Sequence, residues 1–118
     1  MSEIGVPETV HATIAGRIDR LDEIGKRTLQ AAAVIGRRFQ RGLLEEITDV
    51  EGERFDQALQ SIVERQFVDV VSLYPEPEYA FHHALVCDVA YSSPLSDFRV
   101  ETHGRVARAL ERLSLIHI

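Results

Sequence analysis

The feature that most limits what this chain can fold into is a change of hydrophobic period at Phe67. Ahead of it, Phe55, Ala58, Leu59, Ile62 and Val63 recur at helical spacing between Glu51 and Gln66. They form one apolar stripe along a helix. Beyond it, F-V-D-V-V-S-L is β-branched and partly alternating, the pattern of a half-buried strand. Y-P-E-P-E follows, and its two prolines break any regular element. Y-A-F then returns as a second short strand, so an amphipathic helix leads directly into a β-hairpin.

The preceding residues are helical. V-P-E-T-V-H-A-T-I-A-G-R-I-D-R-L carries Val10, Ile14, Ile18 and Leu21 at helical spacing, with Pro7 suited to the first helical position. Asp22 is a candidate cap for a second helix through T-L-Q-A-A-A-V-I, which stops at Gly36. A short third helix is expected from about Arg41 to Ile47. Helices followed by a hairpin in this order predict a winged helix over residues 6–82. The third and fourth helices would form the helix-turn-helix, and the hairpin the wing. Ala84 to Ser92 reads as a further helix, broken at Ser93-Pro94. A last helix is expected from about Leu95 to Leu113, with Val100, His103, Ala107 and Leu110 on its packing side. Residues 83–112 thus form an αα-hairpin resembling the start of a tetratricopeptide-like repeat array, and the fold class is mainly α. The final L-S-L-I-H-I has no cap or turn signal and resembles one reading frame of a sequencing-library adapter. Residues 113–118 are therefore expected to be an adapter-derived tail, and the chain a fragment of a longer protein.

At 118 residues, 45% hydrophobic and 27% charged, the chain can bury a core. No apolar run approaches the roughly 20 residues of a membrane span. The first residues, M-S-E-I-G-V-P-E, lack the pattern of a signal peptide. The single cysteine, Cys87, has no internal disulfide partner, and a cytoplasmic setting is expected. A net charge of −6 argues against a role in gripping nucleic-acid phosphates. So do Glu53 and Asp56 near the start of the fourth helix, where base readers need Arg, Lys, Asn or Gln. Arg37, Arg38 and Arg41 form a basic cluster that keeps a DNA-binding winged helix as the alternative.

Catalytic signatures are missing from the sequence. Gly25-Lys26-Arg27-Thr28 has Arg20 where a phosphate-binding loop needs its first glycine, and Arg27 where magnesium needs Ser or Thr. No G-x-S-x-G, H-E-x-x-H or C-x-x-C occurs. The chain is therefore not expected to be an enzyme. His82, His83, Cys87 and Asp88 hold candidate metal ligands, and a helix sets His83 and Cys87 on one face. Two ligands do not complete a zinc site, so no metal is expected and Cys87 reads as a small buried hydrophobe. His83 has two readings. A helix that begins there turns unsatisfied N–H groups and the positive end of its dipole outward, which suits a phosphate. Equally, His83 caps that helix or packs under the wing.

Three blocks carry a family resemblance: V-P-E-T-V-x-A-x-I-A-x-R-I-D-R-L, L-Q-A-A-A-V-I-G-R-x-F and F-x-H-A-L-V-x-D-V-A-Y. Together they resemble one region of the signal-transduction ATPases with numerous domains (STAND). The likeness is strongest to the bacterial AAA-type members fused to class III adenylate or guanylate cyclase domains, or to transcriptional-regulator domains. It runs from roughly Val6 to Leu113. It implies a winged-helix arm after an ATPase core, with tetratricopeptide-like repeats beginning near His103 to Glu111. The phosphate-binding loop, the magnesium-binding strand and the arginine sensors would lie upstream, so ATP or ADP with magnesium belongs to the parent protein. The resemblance also implies intramolecular partners, the ATPase core and the helical repeats. By the match F-H-H-A-L, His83 would touch the diphosphate of ADP and hold a closed state. Ala84 stands where relatives carry an acidic residue, so that partner is missing here.

Overall fold

The computed structural model describes residues 8–48, 50, 52–94 and 96–116. Pro7, Leu95 and residues 117–118 lie outside them. The chain forms α1 (Glu8–Asp19), α2 (Glu23–Ile35), β1 (Arg38–Gln40), α3 (Arg41–Ile47), α4 (Glu53–Glu64), β2 (Val68–Ser72), β3 (Glu78–Phe81), α5 (Ala84–Ser92) and α6 (Ser96–Ile116). It is mainly helical, with one three-stranded antiparallel sheet in the order β1-β3-β2. Among the described residues, no helix is long and apolar enough to cross a membrane.

Local chemistry sets the helix ends. Asp22 caps α2: its Oδ1 accepts the Gly25 N–H at 2.7 Å, closing an orphan donor of the first turn. α2 ends at Gly36, whose φ of 146° suits a residue without Cβ. α4 ends in a Schellman motif, with the Phe67 N–H on the Ile62 carbonyl (3.0 Å) and the Gln66 N–H on the Val63 carbonyl (2.9 Å). Arg99 closes α5 from the next helix, its Nη1 donating to the Pro94 carbonyl at 2.9 Å and the Tyr91 carbonyl at 3.3 Å.

The sheet has one strand more than the sequence reading anticipates. β1 spans only Arg38–Gln40 and buries a single side chain, Phe39. That is too short to register as alternation. Pairing with β3 creates it, with Phe39 opposite Tyr79. Phe39 stacks on Tyr79 with centroids 5.8 Å apart and meets Phe81 edge-on at 6.0 Å.

One hydrophobic cluster joins all layers. Ile18, Leu29, Leu44, Phe55, Ile62, Phe67 and Val68 are essentially sealed from solvent. Val86, Cys87, Val89 and Ala90 of α5 and Ala109 of α6 belong to the same cluster. Residues 84–92 therefore pack onto the body itself.

α6 departs from expectation twice. It continues to Ile116, past the Leu113 at which the sequence reading ends it. It also presents the other face: Thr102 and Ala109 are buried, with Phe98, Arg105 and Val106 partly so. The expected packing side is the outer one, with Val100 72% and Leu110 50% exposed and His103 and Ala107 exposed as well. Apolar residues on both faces give the helical period no means of choosing between them. The choice falls to tertiary contacts with α2 and α3, including Arg105 donating to the Ile47 carbonyl at 3.1 Å and the Arg112–Glu46 ion pair.

Candidate functional site

His83 sits where the hairpin hands over to α5, and it is the N-cap of that helix. Its backbone is extended, at φ −142° and ψ 139°, and its Nδ1 accepts the Leu85 N–H at 3.0 Å. The His83 carbonyl takes the Val86 N–H at 3.0 Å. Donors that the sequence reading turns toward solvent are thus largely closed by His83 itself. The cap also assigns the ring: with Nδ1 accepting, the proton of a neutral imidazole resides on Nε2. The side chain is exposed, so Nε2–H is the donor this site offers, reinforced by the positive end of the α5 dipole.

His82 separates from it. Its Nδ1 pairs with Asp69 Oδ2 at 2.9 Å across the β2–β3 hairpin, and its backbone N–H bonds to the Phe67 carbonyl. Cys87 is buried, and desolvation pushes its thiol above the ordinary value. The charge of Asp88 adds to that shift, and Arg37 opposes it. Asp88 is exposed. The four candidate ligands of this segment therefore do not converge. Among the described residues, no group of three or more His, Cys, Asp or Glu side chains is arranged to hold a metal.

Two sets of cations acquire their surroundings only in the fold. The first is Arg37, whose charge reaches Cys87 in the first turns of α5. Its carbonyl accepts the Phe81 N–H at 2.9 Å, which ties it to the end of β3. It has no side-chain partner among the described residues. The second is a hollow of about 160 Å³ lined by Arg17, Arg20, Arg65 and Phe67. Arg17 lies over the Phe67 ring at 5.0 Å, and its Nη2 donates to the Arg65 carbonyl at the C-terminus of α4 (3.0 Å). Arg20 and the Arg65 guanidinium face no carboxylate among the described residues. The Phe67 carbonyl also accepts the His82 N–H at 2.9 Å. Arg17 and Arg65 are 48 positions apart, so only folding brings them together.

Two members of the basic cluster that favours DNA are ion-paired in the fold. Arg38 pairs with Glu78 at 3.0 Å. Arg41 pairs with Glu45 at 3.1 Å and with Asp56, and its guanidinium lies over the Phe55 ring at 5.1 Å. Of the three, only Arg37 has no carboxylate partner among the described residues. Compared with known protein families, with curated proteins and with solved structures, the chain gives no match.

Proposed function

We propose that the chain is a winged-helix regulatory arm of an ATP/ADP-switched signalling ATPase, joined to the first hairpin of a tetratricopeptide-like array. The arm is itself non-catalytic and docks on the ATPase core in the ADP state. His83 donates from Nε2 to the diphosphate, and exchange of ADP for ATP releases the arm toward a fused cyclase or transcription-regulator domain. The helix-turn-helix pair α3–α4 followed by the β2–β3 hairpin supports the fold assignment. The observation that carries the functional reading is the fixed His83 ring at the N-terminus of α5, with its donor on Nε2. A diphosphate is the kind of ligand that a ring N–H at the positive end of a helix dipole attracts. A shift between two states needs a contact that differs between them, and this one disappears when the diphosphate leaves.

The test separates capping from ligand binding. His83→Asn in the full-length protein keeps a good N-cap while removing the ring donor. Its ADP affinity, measured calorimetrically, should fall about tenfold or more, the worth of a hydrogen bond to a charged group. Unchanged ADP affinity with unchanged basal effector output would sink the role of His83. The DNA-binding alternative predicts a salt-dependent gel shift by this chain. The internal pairing of Arg38 and Arg41 speaks against it.

A further inference from the structure

A second cavity, of about 260 Å³, lies between α2, α3 and α6. Its walls come from α2 (Arg27, Thr28, Ala31), from α3 and the residues after it (Ile47, Val50), and from α6 (Phe98, Thr102). The decisive side chain is Thr102. It is only 5% exposed, and it lines the cavity. Its hydroxyl has no hydrogen-bond partner among the described residues. A threonine inside a helix ordinarily returns its hydroxyl to the carbonyl four residues back. Thr28, across the cavity, does this at 2.8 Å to Ile24; Thr102 does not. A buried hydroxyl without a partner is costly to the fold and is rare unless something else satisfies it.

The rest of the lining defines what that something is. Ala31, Ile47, Val50 and Phe98 give an apolar body site. At the rim stand Arg27, Arg105 and Glu101. Arg105 and Glu101 are paired with each other at 3.0 Å. Arg27 spends its Nε on Glu23 at 3.3 Å, and its terminal nitrogens have no partner among the described residues. The volume lies just below the range of about 300–1,000 Å³ that accommodates drug-sized ligands. We propose that this cavity binds a small carboxylic acid with a compact apolar body, its carboxylate taking the Thr102 hydroxyl and the Arg27 guanidinium. The ligand touches α2, α3 and α6 at once, so its binding fastens α6 to the body of the fold. This site is independent of His83 and of the nucleotide reading.

The probe is benzoate, with benzamidine as its cationic counterpart of similar shape, titrated into the isotopically labelled 118-residue chain. Benzoate should move the amide signals of Ala31, Phe98 and Thr102 saturably, at low-millimolar concentration, on the order of −4 kcal/mol by the affinity relation. Benzamidine should not. Thr102→Val removes the hydroxyl and keeps the shape. It should melt at the same or a higher temperature than the parent chain while binding benzoate about tenfold more weakly. Arg27→Gln should weaken benzoate comparably. The proposal is overturned if benzoate produces no saturable shift, or if benzamidine binds equally well. It is also overturned if Thr102→Val binds benzoate as the parent does, or if that variant melts lower, which would mean that the hydroxyl serves the fold.

Discussion

Replacing Gln66 by glycine should stabilise the chain by about 0.5–1 kcal/mol, the backbone strain relieved less the freedom that glycine gives the unfolded chain. Gln66 occupies the left-handed position of the Schellman motif that ends α4, with φ at 65°. It is the one described residue other than glycine with a positive φ. A side chain there crowds the backbone, at a cost of roughly 1–2 kcal/mol. Glycine removes the crowding but gives the unfolded chain more freedom, worth about 0.4–1 kcal/mol in the other direction. The Gln66 side chain is exposed and without a hydrogen bond, so its removal forfeits no contact. With an unfolding entropy of roughly 2.1 cal/mol/K per residue, the gain corresponds to a rise of about 2–4 °C in Tm. Urea unfolding should show a higher midpoint at an unchanged m-value. Gln66→Ala is the control, since it keeps the Cβ and therefore most of the strain. If alanine stabilises as much as glycine, or if glycine destabilises, backbone strain at this turn is not what limits stability.

Other substitutions test separate links. Asp22→Ala should cost about 1 kcal/mol, because the Gly25 N–H loses its cap, and chemical denaturation will read it as a lower midpoint. Cys87 should react with iodoacetamide far more slowly in the folded chain than in urea, since burial raises its pKa and shields it. The linkage sign follows from that direction: a folded pKa above the unfolded one means that the native state binds more protons at alkaline pH. The associated stability is whole below the unfolded thiol value of about 8.5 and is lost as pH rises through the folded value. Arg37→Gln removes the one charge that lowers this pKa, so it should slow alkylation further; faster alkylation would place Arg37 away from α5.

Helix limits are legible in this sequence because their signals are local. Asp22, Gly36 and the Ser93-Pro94 break each act within a turn of themselves, and the structure puts α2 and α5 where those residues say. The hairpin is legible for the same reason, since alternation and prolines lie side by side. What escapes is set by contacts between distant residues. β1 exists because β3 offers Phe39 a partner in Tyr79. The buried face of α6 is chosen by α2 and α3, against the apolar Val100 and Leu110 on the opposite side. Candidate-site residues divide along the same line. His83 is recognisable from its place before a helical run, whereas Arg37, Arg17 and Arg65 reach their positions only through the sheet and the α4 terminus. The paired state of Arg38 and Arg41 is likewise invisible in one dimension, where their carboxylates are spread over Glu45, Asp56 and Glu78.

The two roles of His83 use different nitrogens, which makes them compatible and also couples them. Nδ1 must carry a lone pair to accept the Leu85 N–H, and Nε2 must carry a proton to donate to an anion. Only the neutral ring in one tautomer does both. A ring protonated at both nitrogens donates more strongly to a diphosphate but loses the acceptor that holds the first turn of α5. Under the proposed function, then, the nucleotide contact cannot be strengthened by protonation without loosening the helix that presents it. Imidazole nitrogen resonances of the ADP-bound full-length protein distinguish the cases. The neutral Nε2–H tautomer, together with hydrogen-exchange protection at Leu85, is expected. A doubly protonated ring with Leu85 still protected would refute the coupling, because another group would have to be capping the helix.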